Sequence, residues 1–150
     1  MKLGCGKAGR SSGYIKPIVG IVGGIGSGKS YVSKCFEELG CLLIDSDKIA
    51  HEVLDFPHIK KELVECWGES VLLNDGKVSR NELAKIVFGD QNKIHSLNNL
   101  IHPEVDLIRK KQITEFASHD EVPLIIYDTP LLFEVGLDRE CDRIIFVKVP

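Results

Sequence analysis

The octet Gly23-Gly24-Ile25-Gly26-Ser27-Gly28-Lys29-Ser30 sets the frame for this 150-residue chain. Its glycines at 23 and 28, followed by Lys and Ser, have the spacing G-x-x-x-x-G-K-[ST]. Glycines at 23, 24, 26 and 28 let the backbone turn its N–H groups inward around an anion. A helix starting there adds the positive end of its dipole. In such a loop Lys29 reaches the β- and γ-phosphates of a nucleotide, and the Ser30 hydroxyl serves a magnesium ion.

The flanks agree with that reading. Pro17-Ile18-Val19-Gly20-Ile21-Val22 is a short β-branched run suited to a buried parallel strand. Val32, Cys35, Phe36 and Leu39 recur at helical spacing from Ser30 to Leu39, and Gly40 is a natural stop. Cys41-Leu42-Leu43-Ile44-Asp45-Ser46-Asp47 predicts a second buried strand that delivers two carboxylates to its C-terminal edge, where parallel α/β sheets bind ligands.

Composition bounds what such a site can serve. With 43% hydrophobic and 27% charged residues the chain has material for one core carrying an inserted subdomain. A net charge of -3 and a pI near 5.9 supply no electrostatic footprint for nucleic acid or for an anionic membrane. No apolar stretch approaches spanning length. The five cysteines, at 5, 35, 41, 66 and 141, form no metal-type cluster and read as reduced thiols of an intracellular protein. The first sixteen residues are basic and lack acids, as an organelle-targeting remnant would, but they have no amphipathic pattern or apolar core and read rather as a flexible extension.

From Lys48 to His119 the apolar residues recur at helical intervals, which predicts a helical insertion. Ile49, Ala50, Val53 and Leu54 form one stripe, and Pro57 opens a second helix carrying Ile59, Leu63 and Trp67. Asn74-Asp75-Gly76 is a turn. Ser79-Arg80-Asn81-Glu82 fits a reciprocal capping box, and Gly89 ends its helix. A helix with Ile94, Leu97 and Ile101 is expected to stop at His102-Pro103, where the next segment begins. The sheet resumes with a strand over Val122 to Tyr127 ending in Asp128, and a last strand covers Ile144 to Val149.

Taken with the loop, four further segments stand in order: Ile44-Asp45-Ser46-Asp47-Lys48-Ile49-Ala50, Asp75-Gly76-Lys77-Val78-Ser79-Arg80, Ile101-His102-Pro103-Glu104 and Pro130-Leu131-Leu132-Phe133-Glu134. On these five motifs the chain resembles the dephospho-coenzyme A kinase family from Val19 to Pro150. The resemblance implies an α/β fold of the P-loop NTPase type, a parallel sheet flanked by helices, with a helical acceptor-binding insertion. The kinase domain would run over 17–150, its core being 17–47 and 120–150 and its insertion 48–119. Family members continue past the strand at Ile144 to Val149 into lid helices and final elements that this chain lacks.

The implied reaction passes the γ-phosphate of ATP to the ribose 3′-hydroxyl of dephospho-coenzyme A, with Mg2+, in the cytoplasm, as the last step of coenzyme A biosynthesis. Gly23, Gly24, Ile25, Gly26, Ser27, Gly28, Lys29, Ser30 and Tyr31 would hold the nucleotide. Lys29 and Asp47 would be catalytic, Asp47 as the base that takes the acceptor's proton. Ser30 and Asp128 would serve the metal, and Asp45 would orient the loop or the metal shell. Asp47, Arg80, His102 and Glu134 would contact the acceptor, Arg80 by its guanidinium fork.

Each assignment has a plainer competitor. The three aspartates are also suited to satisfying helix N-termini, Arg80 to a helix surface, and His102 to a buried turn. The chain departs from the family pattern at Tyr31, Ser46 and His51, where threonine, alanine and arginine are usual. An inert nucleotide-binding module is the alternative function. A guanine-nucleotide switch fares poorly, because Asn92-Lys93-Ile94-His95 fails the N-K-x-D pattern at its last position.

Overall fold

The computed structural model describes residues 16–148. The proposed extension up to residue 15, with Cys5, lies outside them, as do Val149 and Pro150. The residues group into two compact units, 47–108 and a second formed by the segments on either side of it.

The flanking segments build a parallel four-stranded sheet of order β2-β3-β1-β4: β1 Ile18–Gly23, β2 Leu42–Asp45, β3 Ile125–Asp128 and β4 Arg143–Val147. The central β1 is buried on both faces, as its β-branched run predicts. One face packs Val19, Ile21, Ile126 and Val147 with Cys41, against half-buried Val32 and Phe36 of helix α1, Lys29–Glu38. Leu39, expected in that stripe, is the C-cap and is exposed. Gly40 follows with φ +85°, the left-handed stop that glycine makes without strain.

On the other face Gly20 pairs with Tyr127 beneath Leu132 and Cys141. A Cβ at Gly20 would lie 2.6 Å from a Leu132 methyl, so the glycine is what lets that layer close on the sheet. β3 starts three residues later than predicted. Pro123 has no N–H to give a ladder, and the first rung on the β1 side is the Ile125 N–H donating to the Pro17 carbonyl at 2.9 Å.

The 47–108 unit is helical: most of α2 (Ser46–Leu54), then α3 (Pro57–Trp67), a 3-10 turn at Glu69–Val71, α4 (Arg80–Val87) and the first part of α5 (Gln91–Ala117). Ile49, Val53, Leu54, Ile59 and Leu63 are buried, whereas Trp67 is only half-buried. The Asn74-Asp75-Gly76 turn closes a small hairpin in which Leu72 bridges Val78, with Gly76 at φ +77°. Only half the capping box forms. Ser79 Oγ accepts from the Glu82 N–H at 3.3 Å, but the Ser79 N–H is already taken by the Val71 carbonyl at 2.7 Å. Glu82 instead pairs with Lys85.

The helix expected to break at His102-Pro103 runs straight through them as α5. A proline inside a helix forfeits one hydrogen bond and costs ~3 kcal/mol. The apolar stripe Ile94, Leu97, Ile101, Val105, Ile108 stays in phase across it, with Ile101 and Val105 buried, and this burial offsets the loss.

Candidate active site

The phosphate loop leaves β1 at Gly23 and enters α1 through Gly28, whose φ of +85° is an N-cap conformation that a side chain would strain. Gly26 is also left-handed, at φ +75°. The N-terminus of α1 has neither a side-chain cap nor an acidic residue in its first turn. Helix starts are ordinarily relieved by one or the other, so this one is suited to an external anion. Ser27, within the loop, is buried, and its hydroxyl has no hydrogen-bond partner. Ile25 and Tyr31 are exposed on either side of it.

Lys29 turns back across the sheet edge and donates to Asp128 Oδ1, forming an ion pair in which both side chains are largely buried. Asp128 ends β3 in register with Ile21 of β1 on one side and Asp45 of β2 on the other. Three strands therefore deliver the loop, Asp128 and Asp45 to one edge. Ser30 is exposed one residue beyond Lys29. Glu134 of the same unit is exposed in the turns after Thr129 and Pro130.

A buried cluster that the sequence did not reveal lies one residue before Asp128. The Tyr127 hydroxyl donates to Glu140 Oε2 at 2.8 Å, and Arg109 Nη2 lies 3.2 Å from Glu140 Oε1. The Arg109 guanidinium also stands 5.5 Å from the centre of the Tyr127 ring. Arg109 precedes two lysines in the sequence, yet its side chain is only 3% exposed.

In the helical unit, Asp47 is exposed in the first turn of α2, and His102 is exposed on α5 rather than buried in a turn. Arg80 opens α4 and lines a cleft of about 460 Å3 with Lys48, His51, Asp55, Lys77 and others. Neither Asp47 nor His102 lines that cleft. The cleft is apolar at Leu54 and Val78, both buried, and cationic at Lys48, Lys77 and Arg80. Asp55 Oδ1 accepts the Val78 N–H at 2.9 Å and so ties the hairpin to the end of α2. His51, where arginine was the expected residue, lies against the Arg80 guanidinium.

A parallel sheet with a glycine loop between its central strand and an uncapped helix, and a lysine tied to the acid of the neighbouring strand, defines a P-loop nucleotide-phosphate-binding protein. The family model for dephospho-CoA kinase matches residues 17–150, and the chain belongs to that family. The dephospho-CoA kinase of Carboxydothermus hydrogenoformans is 41% identical over 137 residues, covering 91% of this chain and 66% of that protein. The dephospho-CoA kinase of Fusobacterium nucleatum is 39% identical, covering 87% of this chain and 65% of that protein. The crystal structure of TT1252 from Thermus thermophilus superposes with a TM-score of 0.77 at 31% identity, over 90% of this chain and 66% of that one. The chain thus spans about 65% of the length of the relatives it matches.

Proposed function

We propose that this protein transfers the γ-phosphate of ATP to the ribose 3′-hydroxyl of dephospho-coenzyme A. The observation that carries the reading is the phosphate loop itself, with its uncapped helix start and with Lys29 held against Asp128. Family membership supports the choice of reaction. Phosphoryl transfer asks a protein mainly to align donor and acceptor and to neutralise charge. The amides of residues 23–31 and the Lys29 ammonium supply the positive potential for the nucleotide phosphates. Asp47 takes the proton of the attacking hydroxyl as the new phosphorus–oxygen bond forms, and the leaving group is ADP. Arg80, His102 and Glu134 bind the acceptor, and residues 48–119 act as the acceptor-binding insertion.

Magnesium fits this site through the Ser30 hydroxyl and Asp128, both hard oxygen donors. Among the described residues no group of three or more His, Cys, Asp or Glu could hold an ion. Magnesium accepts that, because it keeps waters and substrate phosphates as most of its ligands. Bound there, it neutralises charge across the transferring phosphates. Cys35, Cys41, Cys66 and Cys141 are unbridged, and no helix among the described residues is long and apolar enough to cross a membrane.

The test incubates the chain with magnesium-ATP and dephospho-coenzyme A and reads added phosphate by mass spectrometry. Product is expected from wild type and not from Lys29→Ala. Absence of product from folded wild-type chain that binds ATP would reject the proposal.

A further inference from the structure

Tyr31 stands in the first turn of α1, two residues after Lys29, and is 74% exposed. An α-helix turns by about 100° per residue, so these two side chains leave α1 on opposite sides. Lys29 and Ser33, four residues apart, share the inner side, where Lys29 is tied to Asp128 and Ser33 is buried. Tyr31 has the solvent side. The first hydrogen bond of α1 runs from the Val32 N–H to the Gly28 carbonyl at 3.1 Å, so the amides of Lys29, Ser30 and Tyr31 come before it and are available to an anion at the helix start. Helical side chains incline toward the N-terminus, which brings the Tyr31 ring toward that same anion.

A nucleotide polyphosphate held by these amides has two unlike ends. Lys29 draws the β- and γ-phosphates to the inner side, beside Asp128. The end that carries the nucleoside is left to the side of Tyr31. We propose that the Tyr31 ring stacks on the base of the bound nucleotide and is the aromatic platform of this site. The proposal rests on reading the loop as a nucleotide site and deepens it by giving the side chain, and not only the amide, a ligand. A threonine at position 31, as in the family pattern, presents a hydroxyl and a methyl but no face on which a base could stack. The contact is therefore a property of this chain's own residue.

The test compares two ligands by calorimetry on the full chain with magnesium: ATP, and inorganic tripolyphosphate, which has the phosphates but no nucleoside. Wild type should bind ATP at least about tenfold more tightly than tripolyphosphate. Tyr31→Ala should weaken ATP about tenfold, as loss of one base–aromatic stack entails, and leave tripolyphosphate within about twofold. Tyr31→Phe keeps the ring and should hold ATP within about twofold of wild type, whereas Tyr31→Leu, apolar without a ring, should fall with the alanine variant. Lys29→Ala should lose both ligands.

Tyr31 is exposed, so thermal melts of its variants should match wild type, and their retained tripolyphosphate binding reports an intact loop. ATP affinity unchanged in Tyr31→Ala, equal loss of both ligands in that variant, or Tyr31→Leu binding ATP as well as Tyr31→Phe would each overturn the proposal. Lys29-dependent binding of both ligands that is indifferent to Tyr31 would reject this inference alone. The expected Tyr31 series without transfer to dephospho-coenzyme A would reject the kinase reading alone, and absence of binding of either ligand by wild type would reject both.

Discussion

Gly23 and Gly24 are neighbours in the phosphate loop, yet an alanine should have opposite consequences at the two positions. A Cβ on Gly23 would lie 2.5 Å from Ser27 Oγ and 2.7 Å from the Val147 carbonyl oxygen. The hydroxyl can rotate away, but the carbonyl belongs to the strand paired with Gly23 and moves only if β1 and β4 separate. Overpacking of this kind costs about 1–3 kcal/mol. For a chain of this length that corresponds to a melting point lower by roughly 2–12 °C. A Cβ on Gly24 meets nothing within 4 Å, and Gly24 is not left-handed, so the alanine is neutral or gains up to about 1 kcal/mol through the unfolded chain. The assay is far-UV circular dichroism of Gly23→Ala, Gly24→Ala and wild type, by heat and by urea. Trp67, the single tryptophan, belongs to the helical unit and is a poor reporter for this lesion. Equal midpoints for the two variants would refute the steric argument.

Further outcomes follow from the site and its support. Asp47→Asn should leave ATP affinity by calorimetry within about twofold while phosphate transfer falls at least a hundredfold, as loss of a general base entails. Tyr127→Phe should cost about 1 kcal/mol in urea unfolding by deleting its bond to Glu140, and Arg109→Ala about 2 kcal/mol, because it removes a buried side chain together with its contact to the part-exposed Glu140. Burial, reinforced by the Glu140, Asp138 and Asp142 carboxylates, pushes the Cys141 thiol up to about 12. The folded chain thus keeps a proton that the unfolded chain releases near 9, so stability from this group is intact below that value and declines as pH rises toward 12. Replacing Cys141 with alanine should flatten the decline of the urea midpoint across that interval.

The elements legible in the sequence were those fixed by local chemistry. The glycine octet, the β-branched run before it, the Asn74-Asp75-Gly76 turn and the Ser79 cap all depend on residues within a few positions of one another. Proline is a local stop signal, yet α5 runs through Pro103 because the apolar stripe keeps its phase on either side of it. Buried stripes outweigh a single lost hydrogen bond, and their phase was available from the start. Only half of the reciprocal box at Ser79 forms, since the Val71 carbonyl holds the Ser79 N–H. The Arg109–Glu140–Tyr127 cluster could not be read at all. Glu140 is separated from Arg109 by 31 residues, and no spacing rule connects an arginine in a basic run to a tyrosine in a strand. At the candidate site the loop and Asp128 were visible as motifs, whereas the contact between His51 and Arg80, across 29 residues, required the fold.

The pairing of Lys29 with Asp128 has a bearing on discrimination among cellular anions. A lysine left bare at a helix start would attract any small anion, orthophosphate included. Here the lysine has its own counterion in Asp128. An anion arriving alone must pull the lysine away and abandon a carboxylate beside its own negative charge, so its gain is largely cancelled. An anion that brings a cation gives each member of the resting pair a new partner in one exchange. On the function proposed above, this pairing would favour polyphosphates already complexed with a metal, before any base or sugar is recognised.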